Sequence, residues 1–143
     1  MNVNKEETIA IAIVVNHKQQ FLITRRKEGQ HLAGKWEFPG GKVESKETIV
    51  SAMVRELKEE VGFGATQFTE LKKVVMAPSY FNGEMTLFMA QDLYPESLIG
   101  DEPEPLEVIK WPLNKADELL ARDDFQEARS ISALLWVLKN HKK

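Results

Sequence analysis

The sequence predicts an α/β domain with a mixed sheet, because strand-like and helix-like segments are interleaved along the chain. Apolar, β-branched runs mark the strands, and segments with an apolar period near 3.6 residues mark the helices. The 143 residues fit one domain, and no repeat, low-complexity tract or linker divides them. We therefore predict a single domain over residues 1–143.

The first half of the chain is predicted to hold three strands and one long helix. These elements are a hairpin of residues 8–16 and 21–26, a loop at 28–34, a short strand at 35–38 and a helix over 48–61. The short strand stops at Pro39 and the two glycines that follow. Thr48 is a suitable N-cap for the helix, and Gly62 stands just past its end.

The second half is predicted to hold three more strands and two helices. They are strands at 68–77, 84–93 and 106–113, an acidic loop at 94–105, and helices at 114–121 and 125–140. Asn82 and Gly83 favour a tight turn between the first two of these strands. Asn114 and Asp124 are suitable N-caps for the two helices.

Charge and composition exclude several classes of partner. The net charge of −3 is not the electrostatic footprint of a protein that binds a nucleic-acid duplex or an anionic membrane. The run from Ile9 to Val15 is too short to span a bilayer, and its flanks do not resemble a secretion signal. The chain has no cysteine, so disulfides and thiolate zinc sites are excluded. We expect a cytoplasmic protein.

Three glutamates in the long helix stand close together. Glu56, Glu59 and Glu60 are spaced i, i+3 and i+4, so their side chains are neighbours. The opposite face is predicted to carry the apolar stripe of Val50, Met53, Val54, Leu57 and Val61. A solvated polar face is one interpretation, since like-charge repulsion costs only a few tenths of a kcal/mol per pair. A cation site is the other.

The stretch before the helix favours the cation site. Pro39 to Lys42 place two glycines and a lysine after a strand, and glycines let the backbone approach a ligand closely. A turn carbonyl together with several carboxylates suits a hard divalent cation, above all Mg²⁺, with Mn²⁺ as an alternative. Lys42 and Arg26 are placed to hold the remaining phosphate oxygens. The pattern indicates metal-assisted chemistry on phosphates.

Residues 41–63 resemble the Nudix box, G-x5-E-x7-R-E-U-x-E-E-x-G-U with U apolar. All nine specified positions match: Gly41, Glu47, Arg55, Glu56, Leu57, Glu59, Glu60, Gly62 and Phe63. The resemblance implies a Nudix fold, which is an α/β/α sandwich, and Mg²⁺-dependent hydrolysis of a nucleoside diphosphate linked to another group. It also implies that the three glutamates bind metal together with the Gly40 carbonyl. Arg55 and Glu47 would orient and brace the helix.

Two subfamilies are resembled by different parts of the chain. Residues 8–54 are similar to MutT-type 8-oxo-dGTP diphosphatases, which implies that Arg26, His31 and Phe38 lie along the nucleotide. From about residue 55 to 143 the chain resembles NudE-type ADP compounds hydrolases, whose substrates are ADP-ribose, NADH and diadenosine polyphosphates. The second resemblance favours a homodimer. Because the patterns of two subfamilies occur in one chain, a natural or engineered hybrid of the two is a further hypothesis.

Arg129 stands where the MutT pattern has a base-reading asparagine, and an arginine suits a phosphate or ribose better than a guanine edge. We therefore expect a small nucleotide substrate of the ADP-ribose type, contacted also by Gly41, Lys42 and Arg129. The alternatives are an (8-oxo-)dGTP diphosphatase, a hybrid with weak or no activity, and a binding module without catalysis. Either Glu102 or Glu104 would supply a further metal ligand or base, unless their loop is simply solvated.

Overall fold

The computed structural model describes residues 7–29, 33–75, 83–99 and 106–140. In these ranges the chain forms seven strands, a 3-10 turn at Leu113–Lys115 and three α-helices. The strands are β1 (Glu7–Val14), β2 (Gln20–Arg25), β3 (Trp36–Glu37), β4 (Gly40–Lys42), β5 (Phe63–Val75), β6 (Gly83–Pro95) and β7 (Glu107–Pro112). The helices are α1 (Ile49–Glu60), α2 (Ala116–Leu120) and α3 (Ala128–Asn140).

The predicted mixed sheet is confirmed. A four-stranded sheet has the order β4-β1-β6-β5, in which β1 runs parallel to β6 and antiparallel to β4. The outer pair of β5 and β6 is antiparallel. A second, antiparallel sheet has the order β3-β2-β7.

Strand β1 separates two apolar cores through the alternation of its side chains. Its large odd-numbered residues pack on the side of α3, and its smaller even-numbered residues pack on the side of α1. The first core joins Ile9, Ile11, Ile13 and Val15 with Ala133, Leu134 and Val137; the second joins Ala10, Ala12 and Val14 with Met53 and Leu57. A helix therefore covers each face of the sheet, as the α/β/α prediction requires.

The hairpin predicted from the first two runs is wrong. β1 and β2 belong to different sheets, and a single bridge between Val15 and Phe21 joins their ends. A strand has two hydrogen-bonding edges, and β4 and β6 occupy both edges of β1. No edge of β1 is left for β2, which pairs with β3 and β7 instead.

The glycines after Pro39 were predicted to end a strand, yet residues Gly40–Lys42 form β4. Gly40 lies against β1 so closely that a Cβ at this position would collide with the Ala10 carbonyl oxygen. The absence of a side chain is therefore what allows this short strand to pair. Residues 39–41, named the glycine turn for their sequence, thus place both glycines in pairing contact with β1.

Helix ends were predicted with mixed success. Thr48 is the N-cap of α1, since its side chain accepts from the Ser51 N–H at 3.0 Å, and Gly62 follows the helix with φ of 77°. The predicted caps Asn114 and Asp124 are wrong. The 3-10 turn Leu113–Lys115 precedes α2, and α3 begins three residues later than expected.

Glu127 provides the cap at the start of α3. Its carboxylate accepts from the main-chain N–H groups of Arg129 and Ser130, at 3.0 and 2.9 Å. Asp124 is instead engaged by Arg122, whose Nε donates to it at 2.8 Å. A longer acidic side chain next to the helix thus displaces the residue type that the sequence favours for a cap.

Candidate active site

Arg55 is the centre of a hydrogen-bond cluster between α1 and the strand before it. Its Nε donates to Glu47 Oε2 at 2.7 Å, and one Nη donates to the Lys42 carbonyl at 3.2 Å. The other Nη lies 3.1 Å from Glu56 Oε1 and 3.5 Å from Glu59 Oε1. The hydrogen bond with Glu47 raises the pKa of Arg55, which therefore stays charged. Arg55 and Glu47 are thus in contact, and their role in bracing the helix stays a prediction.

Glu47 closes the loop that leads into α1. Besides Arg55, it accepts from the Glu44 N–H at 2.9 Å. The hydrogen bond from Arg55 and the one from the Glu44 main chain lower the pKa of the Glu47 carboxyl. Glu47 thus fixes the loop, and the next residue, Thr48, fixes the first turn of α1 as its N-cap.

Glu56 is buried, although the helical pattern places it on the face opposite the predicted apolar stripe. Its exposed fraction is 9%, and Gly41 stands so close that a Cβ there would collide with the carboxylate. Burial raises the pKa of Glu56 to about 7, against the lowering effect of Arg55 and with a further rise from the charge of Glu59. A carboxylate in this environment resists ionisation unless positive charge is added.

The predicted apolar stripe of α1 is buried at Met53, Leu57 and Val61, but the buried face lies further toward Ala52 than the pattern indicates. Ala52 and Met53 are buried with Leu57, whereas Val50 is 45% exposed. The reason lies in β4, whose glycines cover the flank of α1 that includes Glu56. A sequence period identifies the face of a helix that meets the core, but not a second contact made by backbone without side chains.

Glu60 reaches the other glycine of the turn. The Gly40 N–H donates to Glu60 Oε1 at 3.2 Å. Within the described ranges, no three histidine or acidic side chains converge on one point. The contacts give the reason, because Arg55 holds Glu56 and Glu59 while Gly40 engages Glu60.

The donor set nevertheless fits a divalent cation. Carboxylate oxygens on one helix, next to a main-chain turn, are hard ligands of the kind that such ions prefer. The buried Glu56 is the member that gains most, since a cation would compensate the charge that burial disfavours. Metal binding by Glu56, Glu59, Glu60 and the Gly40 carbonyl stays a prediction.

A second charged cluster stands where β3 meets the start of α3. Glu37 Oε1 lies 3.5 Å from Arg26, and its Oε2 lies 4.0 Å from Arg129. Burial raises the pKa of Glu37, although Arg26 acts to lower it. Burial acts in the same direction on Glu127, but hydrogen bonds from Arg129 lower the pKa of Glu127 overall. The structure thus brings Arg26 and Arg129 to one carboxylate.

The remaining predicted substrate contacts have different outcomes. The Phe38 ring is 2% exposed and packs edge-on against Phe21 and Phe125, so it offers no surface on which a base could stack. That Phe38 lies along the nucleotide stays a prediction. Lys42 has a largely exposed side chain whose Nζ lies 2.7 Å from Glu7. His31, Glu102 and Glu104 lie outside the described residues.

Sequence reasoning missed Glu37, Glu127 and the buried Ser130 as parts of this region. A usable signal was present for Glu127, an acidic residue immediately before the apolar period of the last helix. No local pattern marks Glu37, because its neighbours come from β2 and α3.

Among the described helices, none has the length and apolar character needed to cross a membrane.

The NUDIX domain model matches residues 5–135. The chain is 46% identical over 134 residues to the ADP compounds hydrolase NudE of Escherichia coli (strain K12), covering 94% of this chain and 70% of that protein. It is 46% identical over 70 residues to the 8-oxo-dGTP diphosphatase of the same strain, covering 49% of this chain and 54% of the relative.

Solved structures agree with these relations. The crystal structure of an ADP compounds hydrolase superimposes with a TM-score of 0.86 at 42% identity, over 95% of this chain and 73% of the other. A structure reported for MutT from Aliivibrio salmonicida and Vibrio cholerae superimposes with a TM-score of 0.71 at 24% identity, over 94% of this chain and 99% of the other. At this identity the likeness shows the shared fold alone. The match to NudE extends beyond residues 55–143, and a hybrid origin is not confirmed.

Proposed function

Because this chain belongs to the Nudix hydrolase family, we propose that it cleaves the diphosphate bond of ADP-linked compounds such as ADP-ribose, NADH or a dinucleoside polyphosphate. The observation that carries the chemistry is the Arg55 cluster, which fixes Glu56 and Glu59 beside the glycine turn. The substrate class is supported by the NudE likeness over 94% of the chain.

Enzymes of this family generally use a divalent cation, and we propose Mg²⁺, replaceable by Mn²⁺. Glu56, Glu59 and Glu60 would hold it together with the Gly40 carbonyl, since all four supply hard oxygen ligands. When bound, such an ion neutralises diphosphate charge and makes a coordinated water more acidic.

The protein side chains then have distinct tasks. A glutamate of the α1 cluster accepts a proton from the attacking water, whose oxygen forms a bond to one phosphorus. The bond from that phosphorus to the bridging oxygen breaks, and the other phosphate leaves without a covalent enzyme intermediate. Arg55 keeps two of the glutamates in place through charged hydrogen bonds, which are stronger than neutral ones.

The second charged cluster supports an ADP-linked substrate. Arg26 and Arg129 are both about one-third exposed and meet at Glu37, four residues before Gly41. That separation spans at most roughly 14 Å of chain, so the two arginines stand within reach of a nucleotide bound at the glycine turn. Guanidinium groups bind phosphate and ribose oxygens well, but they do not reproduce the amide pattern of an asparagine.

A side-by-side substrate comparison tests the proposal. We expect kcat/KM with Mg²⁺ to be clearly higher for ADP-ribose, NADH or a diadenosine polyphosphate than for dGTP or 8-oxo-dGTP. The Arg129→Gln variant should raise KM for ADP-ribose, whereas the exposed Glu118→Gln on α2 should behave like wild type. A preference for 8-oxo-dGTP would establish the MutT-type alternative. Nucleotide binding without phosphate release would establish a non-catalytic protein.

Cytoplasmic location, a homodimer, and the absence of a nucleic-acid duplex or membrane as partner stay predictions. Light scattering on the purified protein measures the subunit number directly. Those properties do not affect the chemistry proposed for the Arg55 cluster.

A further inference from the structure

The peptide group that joins Glu37 to Phe38 is held at both of its polar ends by buried hydroxyl groups. Thr24 Oγ donates to the Glu37 carbonyl at 3.1 Å, and the Phe38 N–H donates to Ser130 Oγ at 2.9 Å. The two hydroxyl residues are 1% and 0% exposed. Since the carbonyl and N–H of a trans peptide point in opposite directions, the group is gripped from β2 on one side and α3 on the other.

The Ser130 hydroxyl is oriented by the cap of α3. It donates its single proton to Glu127 Oε1 at 2.9 Å, which leaves its lone pairs to accept from Phe38. Glu127 is itself held by main-chain N–H groups of α3. The direction of both hydrogen bonds is therefore determined: the Phe38 N–H donates to the Ser130 hydroxyl, which donates to the Glu127 carboxylate.

The start of α3 and the residues just before it also hydrogen-bond to β3. The Trp36 N–H donates to the Asp124 carbonyl at 2.9 Å, on the same side of the strand as the Phe38 N–H. Residues 124–130 thus occupy the edge of β3 that is not paired with β2. The clamped peptide lies two residues before Gly40, whose N–H contacts Glu60, and three before Gly41, which contacts Glu56.

We propose that Thr24 and Ser130 are positioning residues, which set the place of the catalytic glycine turn by clamping the Glu37–Phe38 peptide. This inference rests on the proposed function, since it assigns the clamp to the same catalytic site. A shift of the turn by about 1 Å would displace the groups that face Glu56 and Glu60, and such displacements cost up to about 100-fold in rate. Both residues act through the main chain and without contact to the substrate.

Two pairs of variants separate positioning from plain stability. Thr24→Val and Ser130→Ala each remove one grip, whereas Thr24→Ser keeps the hydroxyl and should rescue. Thr86→Val is the matched control, because Thr86 is 0% exposed and its hydroxyl has no partner among the described residues. We expect the two clamp variants to lower kcat by about 10–100-fold while KM changes little. Thr24→Ser and Thr86→Val should stay within about twofold of wild type.

Amide hydrogen exchange by NMR on the metal-free protein gives a readout that does not need a substrate. In Ser130→Ala the Phe38 and Gly40 amides should exchange about tenfold faster or more, while amides at the centre of β6 do not change. If exchange is faster but wild type hydrolyses none of the tested compounds, the clamp stands and the proposed function fails. If both amides keep wild-type exchange, or the folded clamp variants keep wild-type kcat, the positioning role is overturned.

Discussion

Gly41 lies directly against the Glu56 carboxylate, so closely that a Cβ at this position would overlap the carboxylate atoms unless Glu56 moved. The contact joins β4 to the buried flank of α1, and it explains why Glu56 is shielded from water although its position in the helix suggests a polar face. Helix α1 and the glycines of β4 thus pack directly against each other.

Replacing Gly41 by alanine should displace Glu56 without unfolding the protein, because the obstructing atoms belong to the end of a side chain. We expect kcat to fall by about 10–100-fold with a small change in melting temperature. Gly40→Ala is the informative counterpart, since its Cβ meets the backbone of β1 and should destabilise the fold. Circular dichroism melts and steady-state kinetics on both variants measure the difference. Equal destabilisation by both substitutions would contradict the inference that Gly41 faces a side chain that can move and Gly40 faces backbone that cannot.

Arg55→Lys keeps the positive charge but loses the fork that serves Glu47, Glu56 and Glu59 together. We expect kcat to fall by about 10–100-fold, because the glutamates lose their fixed positions. Arg25→Lys is the matched control, since Arg25 pairs with Glu107 across β2 and β7. Comparable losses of activity in the two variants would show that Arg55 has no special role.

Glu56→Gln and Glu60→Gln should each lower turnover by about 10²–10⁴-fold, which is typical for loss of a general base or a metal ligand. The metal-free melting temperature should hold or rise in Glu56→Gln, because the amide is not charged in its buried site. Steady-state kinetics with Mg²⁺ test the loss of turnover, and thermal melts in EDTA test the metal-free melting temperature. A variant with near-normal turnover would remove that residue from the catalytic group.

Metal binding is expected to depend on the glutamate face of α1. Calorimetric titration of Mg²⁺ or Mn²⁺ should give clear binding to wild type and strongly weakened binding to the Glu59→Gln/Glu60→Gln double variant. Binding should also displace the contact between Glu60 and the Gly40 N–H, which NMR can follow at that amide. Identical titrations for the two proteins would exclude this face as the metal site.

The pH dependence of stability should carry the sign of the Glu56 shift. Burial raises its pKa from 4.5 to about 7, so between these values the folded protein binds more protons than the unfolded chain. The free energy of unfolding of the metal-free protein should therefore fall as pH rises from 4.5 to 7, by as much as about 3 kcal/mol from this residue. Urea unfolding in EDTA at pH 5 and pH 8 measures it. Glu56→Gln should flatten that contribution, and an unchanged slope would contradict the shift.

The fold class, and the grouping of Arg55 with the glutamates of α1, could be predicted from local patterns. The spacing of the three glutamates and Arg55 lies within one helix, so its geometry is set by 3.6 residues per turn. Pairings between distant segments did not follow, and the hairpin of β1 and β2 was predicted wrongly for this reason. The burial of Phe38 depends on Phe125, 87 residues later in sequence. The meeting of Arg26 with Arg129 joins residues that are 103 positions apart.

The parallel pairing of β1 with β6 has a consequence for the order of folding. Val14 finds its partner only when Ala90 has been synthesised, 76 residues later, which takes roughly 4–15 s at common translation rates. Until then the most apolar strand of the chain has an open edge, and such edges template association with other chains. We therefore expect that refolding is slower than in helical domains of this size, and that nascent chains ending before residue 83 depend on chaperones to stay dissociated.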